Sequence, residues 1–292
     1  MLIFDGAMGT LLTKHGIPMH SCMEICNITH PNLVKSIHAS YIKAGCDVIT
    51  TNTFGANALR LKHYNLNHEV TRLNIEAISL AKASINTYLN SKMRPIAKNI
   101  RIAGSMGPTG NLIRSSNIDS VLYKTIYKAY KEQATILAQN HVDYLLLETM
   151  MSLTEAKIAI QACKELMLPI LCQFSFSKEN LTYTEETPEQ VARELQTMGV
   201  AALGINCSFG PKHILPLLER MHAVSSIPLI VQPNAGIPTI QNSNIITYVI
   251  SPKEMASYVS AYIRLGVQYI GTCCGSTPEY TKALVIQKSK LL

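Results

Sequence analysis

The chain repeats one pattern: a short apolar run closed by Gly, Asn, Asp or Pro, then a longer stretch with helical spacing. Eight such runs fall at 1–5, 46–53, 100–105, 142–148, 168–176, 200–206, 227–233 and 267–273. Tyr144-Leu145-Leu146-Leu147 is apolar at every position, so a strand there buries both faces, as a parallel sheet covered by helices requires. In 69–88, Val70, Leu73, Ala77 and Leu80 recur at three- and four-residue steps and make one apolar helical stripe. Ser152 with Glu155 and Ser251 with Glu254 have capping-box spacing, while Thr187, Ser251 and Thr277 each precede a proline suited to a first helical turn. Gly45, Gly199 and Gly266 stand where helices should stop.

Eight such units in 292 residues fit a closed (β/α)8 TIM barrel, an α/β fold occupying 1–292 as a single domain. A doubly wound open sheet is the competing architecture, but it calls for a Gly-x-Gly-x-x-Gly turn after an early strand, and none occurs. Gly6-Ala7-Met8-Gly9-Thr10 alone is a weak phosphate signal.

Composition excludes several function classes. The apolar stretches fall far short of the roughly 18 residues of a membrane helix, and the N-terminus, Met1-Leu2-Ile3-Phe4-Asp5, lacks the regions of a signal peptide. The expected compartment is the cytoplasm, with no membrane partner. The formal charge of +7 is scattered over helix-like segments without a basic cluster, which argues against a nucleic-acid partner. The 8 cysteines then read as reduced thiols.

In such a barrel the active site lies where the strands end. The runs deliver there Asp5-Gly6-Ala7-Met8-Gly9-Thr10, Thr51-Asn52-Thr53-Phe54-Gly55, Gly104-Ser105-Met106-Gly107-Pro108, Glu148-Thr149, Asn206-Cys207, Gln232-Pro233-Asn234 and Cys273-Cys274. Three thiols at one rim can bind one zinc and leave its fourth position open, as in catalytic zinc sites. No compact Cys-x-x-Cys spacing announces a metal, so other readings stand beside it. Buried free thiols are common in cores, and a vicinal Cys273–Cys274 disulfide is a strained alternative disfavoured among reduced thiols. Cys207 as a covalent nucleophile lacks a neighbouring histidine base.

Successive strand residues face opposite ways, and Gly275 offers the turn that aims both Cys273 and Cys274 inward. Cys22, Cys26, Cys46, Cys163 and Cys172 fall on loops, helices or early in strands and read as structural or incidental. A zinc carrying three thiolates is a poor Lewis acid, yet it deprotonates a bound thiol and leaves it nucleophilic. That chemistry suits attack on an activated alkyl group better than hydrolysis. None of the 9 histidines stands at a predicted strand end, which argues against a histidine-based zinc hydrolase or a Ser-His-Asp site. No lysine stands there to form the Schiff base of an aldolase.

Asp5-Gly6-Ala7-Met8-Gly9-Thr10, Asn52-Thr53-Phe54-Gly55-Ala56-Asn57, Gly204-Ile205-Asn206-Cys207 and Gly271-Thr272-Cys273-Cys274-Gly275 together resemble the homocysteine S-methyltransferase family, in order over nearly the whole chain. Gly107-Pro108-Thr109-Gly110 and Gln232-Pro233-Asn234-Ala235-Gly236 are similar to the homocysteine-binding module of cobalamin-dependent methionine synthase, and to that of homocysteine methyltransferase fused to methylenetetrahydrofolate reductase. The resemblance implies a (β/α)8 barrel with Zn2+ held by Cys207, Cys273 and Cys274, on which L-homocysteine is methylated to L-methionine. It further implies that Asn234 offers its amide oxygen to zinc in the absence of substrate. Asp5 and Glu148 would hold the homocysteine amino group, Gly9 and Thr10 would receive its carboxylate through backbone N–H groups, and Asn52 would join the substrate site. For Asp5 and Glu148 the plainer alternative is helix capping or rim solvation.

The chain is expected to start almost on its first strand and to end after its eighth helix, without folate, cobalamin or reductase modules. The methyl donor is therefore open among methylcobalamin on a separate corrinoid protein, S-methylmethionine, S-adenosylmethionine and an unknown methyl compound. Two other readings compete with homocysteine methylation: methylation of a different thiol, and a non-catalytic zinc- or thiol-binding barrel subunit. An enzyme should bind homocysteine at the metal with release of a proton, whereas a site closed by a fourth protein ligand should not.

Overall fold

Alternate residues of each apolar run point to opposite sides of the sheet, and in the computed structural model the two sets build two separate cores. The structure describes residues 1–91, 99–241 and 245–291. The strands are β1 (Leu2–Ile3), β2 (Val48–Thr50), β3 (Arg101–Met106), β4 (Tyr144–Met150), β5 (Ile170–Phe174), β6 (Ala202–Cys207) and β7 (Leu229–Pro233). A hairpin of β8 (Thr239–Gln241) and β9 (Ile245–Thr247) follows, then β10 (Val267–Ile270). All but the hairpin pair are parallel, in the order β1-β10-β7-β6-β5-β4-β3-β2. The ends of that order meet through the parallel bridge of Phe4 with Val48, with Asp5 N–H donating to Val48 O (3.0 Å) and Asp47 N–H to Ile3 O (2.6 Å). The sheet is thus closed as a (β/α)8 barrel.

Inside it lie Phe4, Val48, Ala103, Tyr144, Leu146, Leu171, Ala202 and Ile230. The other parity, including Ile3, Ile49, Leu145, Leu147 and Leu203, packs against the surrounding helices. Tyr144-Leu145-Leu146-Leu147 is apolar throughout because its even members fill the barrel and its odd members meet helices. At the end where the strands begin, the Arg101 guanidinium donates to the Tyr144 hydroxyl, and Tyr144 and Tyr269 meet edge to face at 6.0 Å.

The helices are α1 (Gly9–Lys14), α2 (Cys26–Thr29), α3 (Pro31–Ala44), α4 (Ala58–Lys62), α5 (Val70–Leu89), α6 (Ser120–Gln139), α7 (Leu153–Cys163), α8 (Pro188–Thr197), α9 (Pro211–His222), α10 (Pro252–Ser257), α11 (Val259–Arg264) and α12 (Pro278–Leu291). Val70, Leu73, Ala77 and Leu80 of α5 are buried, as their stripe predicts. Gly45, Gly199 and Gly266 take left-handed φ of +98°, +70° and +72° at helix ends. Among the described residues no helix is long and apolar enough to cross a membrane.

Two local expectations need correction. Ser152 does accept the Glu155 N–H (3.2 Å), but the Glu155 carboxylate turns inward instead of completing the capping box. It accepts from Thr109 N–H (2.7 Å), the Thr109 hydroxyl (2.7 Å) and the Tyr130 hydroxyl (3.0 Å), which ties the loop after β3 to α6 and α7. Ser251 likewise accepts the Glu254 N–H (3.2 Å) without a reciprocal bond from Glu254, whereas Thr187 and Gln190 make a complete box at the start of α8. The other correction is the β8–β9 hairpin, which interrupts the strand–helix alternation. The sequence signal for it is the polar Asn242-Ser243-Asn244 between β-branched runs.

Gly204 on β6 lies opposite Ile230 on β7, and a Cβ added there would fall 1.7 Å from the Ile230 carbonyl oxygen. No rotamer relieves a clash with backbone, so Gly204→Ala is expected to lower unfolding free energy in urea by about 3 kcal/mol or more. Gly199→Ala meets nothing within 4 Å and keeps only the left-handed backbone penalty of about 1 kcal/mol. Equal losses in the two variants would refute this account of Gly204.

Candidate metal centre

The three rim cysteines come from strands that flank one neighbour. Cys207 ends β6 opposite Pro233 of β7, and β10 lies on the other side of β7. Past the end of β10 the chain keeps its ladder to β7: Gly271 N–H donates to Val231 O (3.0 Å), Cys273 N–H to Pro233 O (2.8 Å), and Ala235 N–H to Cys274 O (2.9 Å). The stretch from Pro233 to Ala235 therefore sets the spacing of all three cysteines. Their sulfurs lie within 4.8 Å of one another, with Cys207 and Cys274 at 3.9 Å.

The backbone bends where the sulfurs must turn in. Cys207 and Ser208 both have φ of +58°, and Gly275 has φ of +82°. Two left-handed non-glycine residues in succession are strained by about 1–2 kcal/mol each. The Ser208 hydroxyl offsets part of that cost by accepting the Phe176 N–H (3.1 Å) and sharing a hydrogen bond with the Ser175 hydroxyl.

The Cys207 thiol is held well below its usual range by hydrogen bonds from Cys273 and Cys274, with Asn234 adding a further one. The same contact with Cys207 pushes Cys273 well up and Cys274 up to about 12. The three thiols therefore titrate together, ionisation of one being stabilised by hydrogen bonds from the others and opposing theirs. Asn234 is buried, and its amide oxygen has no hydrogen-bond partner. Three sulfur donors with one orphaned oxygen match zinc, whose tetrahedral Zn–S bonds of about 2.3 Å set sulfurs about 3.8 Å apart. The remaining five cysteines are all buried, in keeping with a structural role.

Asp5 and Glu148 stand at the ends of β1 and within β4. Asp5 accepts from Thr50 N–H (2.8 Å) and the Thr50 hydroxyl (2.8 Å), while Glu148 accepts from the Ser105 hydroxyl and the Asn206 amide (3.2 Å). Neither bonds to a helix start, so the capping alternative falls away. Both carboxyls are pushed up to about 7, chiefly by burial. For Asp5 the Thr50 bonds oppose the rise and Glu148 adds to it; for Glu148 the Ser105 bond opposes it and Cys207 adds to it.

Gly9 opens α1 without a side-chain cap, which leaves the first N–H groups without intrahelical partners. The Thr10 hydroxyl accepts the Gly275 N–H (3.3 Å), linking this turn to the cysteine loop. The Asn52 amide donates to Met23 O (2.9 Å) and Asn27 Oδ1 (3.0 Å), so that its side chain fixes the loop after β2.

The sequence places Ser105 and Asn206 at the rim without marking a role for them, and nothing in it marks Thr50 or Tyr248. Ser105 and Asn206 share the parity of the barrel-filling positions Ala103 and Ala202, and counting by twos along those runs finds them. Tyr248 follows the unexpected hairpin and had no comparable signal. Burial, then the charges of Cys274, Cys207 and Cys273, raise its phenol.

Fold and site define a (β/α)8 barrel protein with a three-thiol centre at its C-terminal mouth. The chain belongs to the homocysteine S-methyltransferase family, whose sequence model matches residues 2–287. It is 27% identical to methionine synthase of Mycobacterium leprae (strain TN) and 28% identical to that of Mycobacterium tuberculosis (strain ATCC 25618 / H37Rv). Each alignment covers 97% of this chain and 24% of the relative, so the chain spans about a quarter of the length of these curated relatives. Among solved structures, the metallated form of the Escherichia coli homocysteine methyltransferase MmuM shares the fold, with a TM-score of 0.83 at 22% identity over 98% of this chain and 96% of that one.

The raised carboxyls make the metal-free protein sensitive to pH. Folded values of about 7 exceed the ordinary 3.8 and 4.5, so between about pH 4.5 and 7 the folded chain binds more protons than the unfolded one, and this contribution to stability falls as pH rises. The urea midpoint of the apo protein is expected to be higher at about pH 5.5 than at about pH 7.5, and Glu148→Gln should narrow that difference. A variant with the full difference would show that Glu148 titrates elsewhere.

Proposed function

We propose that this protein is a zinc-dependent S-methyltransferase that methylates the sulfur of L-homocysteine to give L-methionine. The observation that carries the reading is the convergence of Cys207, Cys273 and Cys274 beside the unpartnered Asn234 oxygen. Zinc bound there supplies the positive charge that lets a substrate thiol ionise near neutral pH while staying nucleophilic. The three cysteines hold the metal, and Asn234 offers a fourth donor that substrate can replace. In the transfer, the thiol proton leaves to solvent, the sulfur–methyl bond forms, and the bond from methyl to its donor breaks.

The opposite side of the mouth orients the amino acid. An arriving ammonium favours the ionised forms of Asp5 and Glu148, which burial otherwise keeps partly protonated near neutrality. The uncapped N–H groups at Gly9 and Thr10 receive the carboxylate, and Asn52 keeps the loop after β2 in place. In this reading residues 1–292 act as one homocysteine-binding barrel in the cytoplasm. The donor is methylcobalamin on a separate corrinoid protein, S-methylmethionine or S-adenosylmethionine, and offering each in turn to the zinc-loaded protein identifies it.

Zinc analysis, calorimetry and metal-edge absorption test the centre. The wild type is expected to hold one zinc per chain, to add one sulfur ligand on titration with homocysteine, and to release at least about one proton per site. Zinc indifferent to homocysteine would favour another thiol substrate or a non-catalytic barrel. Cys207→Ala is expected to lose zinc affinity by more than about 100-fold, beyond the effect of an outer-shell change, with an unchanged far-ultraviolet circular dichroism spectrum. Unfolding of that variant would make Cys207 a structural residue instead.

A further inference from the structure

Tyr248, Val249 and Ile250 are consecutive, and they rest on three glycines that each follow a donor of the centre. A Cβ added at Gly275, the residue after Cys274, would lie 2.2 Å from Tyr248 Cγ and 2.4 Å from both Cδ atoms, so the ring sits directly on that glycine. A Cβ at Gly236, two residues after Asn234, would lie 3.2 Å from Val249 Cγ2 and 3.3 Å from Ile250 Cγ1. At Gly210, three residues after Cys207, it would lie 2.2 Å from Ile250 Cδ1. One short segment therefore touches each of the three loops that supply the sulfurs and the Asn234 oxygen.

The segment is itself anchored. Ile250 N–H donates to Ala235 O (2.9 Å), its carbonyl accepts from the Tyr280 hydroxyl of α12 (2.6 Å), and Ser251 then caps α10. Val249 is 74% exposed, so its contribution is position more than burial. Ligand side chains keep a metal best when the elements behind them are fixed, and here contacts from outside the ligand loops add to the bonds those loops make with one another.

We infer that Tyr248, Val249 and Ile250 form a strap that holds the three ligand-bearing loops at metal-binding spacing, the Tyr248 ring being its seal on the Cys273-Cys274 turn. This rests on the zinc reading above. The strap residues are positioning residues: their effect is on how long the centre keeps its metal, and the ring of Tyr248 matters where its hydroxyl does not.

The test uses the full chain loaded with zinc, with release followed by a colorimetric chelator in excess. Cobalt-substituted samples report the thiolate-to-metal absorption band, and melting of the metal-free forms reports the fold. Tyr248→Phe is expected to match the wild type. Tyr248→Leu should release zinc about tenfold faster or more and shift the cobalt band, with an apo melting curve close to that of the wild type. Ile250→Val, which removes the methyl resting on Gly210, should quicken release in the same direction and serves if the leucine variant does not fold. Release from Ile250→Val and Tyr248→Leu at the wild-type rate would overturn the strap, and a Tyr248→Phe variant as fast as the leucine one would overturn the role given to the ring. A wild type that takes up no zinc would instead overturn the metal reading and the strap with it.

Discussion

The site depends on how three sulfurs reach one point from strands that do not touch. Neighbouring strands lie about 4.8 Å apart, so β6 and β10, with β7 between them, are separated by about 10 Å. Cys207 and Cys274 nevertheless bring their sulfurs to 3.9 Å. That convergence is achieved above the end of β7, where Pro233 pairs with Cys207 on one side and accepts from Cys273 on the other. Proline has no N–H to leave unpaired at this position. The left-handed turns at Cys207, Ser208 and Gly275 follow from the same demand, since extended strands would carry the sulfurs past one another.

Electrostatics reinforces that geometry. The sulfurs titrate together, and Glu148 feels Cys207 while Asp5 feels Glu148. Burial first, and then repulsion within so small a space, disfavours ionising every group, so the carboxyls are pushed up to about 7, and contact with Cys207 drives Cys273 and Cys274 toward their thiol forms. Such a mouth favours positive partners: a divalent cation at the sulfurs and an ammonium at the carboxyls. The same arrangement disfavours a second anion beside the carboxyls and thiols.

Much of this was legible in the sequence because burial on both faces leaves no polar position to confuse a strand. Once eight units in order are accepted as a barrel, β7 must separate β6 from β10, and the neighbourhood of Cys207 with Cys273 and Cys274 follows without any compact motif. What stayed hidden depends on partners far along the chain. The spacing of Ser152 and Glu155 is correct for a capping box, yet Thr109 and Tyr130 offer the carboxylate a buried set of donors that outcompetes the helix terminus. Likewise Asn206 sits beside Cys207 in a quoted motif, but its task, linking Glu148 and Thr149, appears only when β4 and β6 are seen together. Tyr248 lacked a signal because glycine contacts leave no pattern in the residues that make them.

The two ends of the barrel put the same residue type to opposite uses. Where strands begin, Asp47 accepts the Ile3 N–H (2.8 Å) and Asp143 the Ile102 N–H (2.7 Å), completing the ladder at its edge, and Lys288 lies 3.6 Å from Asp47. Where strands end, Asp5 and Glu148 point toward the barrel mouth, accept bonds from Thr50, Ser105 and Asn206, and are driven toward their protonated forms. Ladder bonds are completed at the first end, while the second carries the three thiols and the unpartnered Asn234 oxygen. Left-handed non-glycine residues occur at both ends, at His141 and Met167 before strands and at Thr149, Cys207 and Ser208 where strands end, but only at the mouth do they stand beside buried carboxyls and three thiols, which is where sequence rules for helices and strands stop being sufficient.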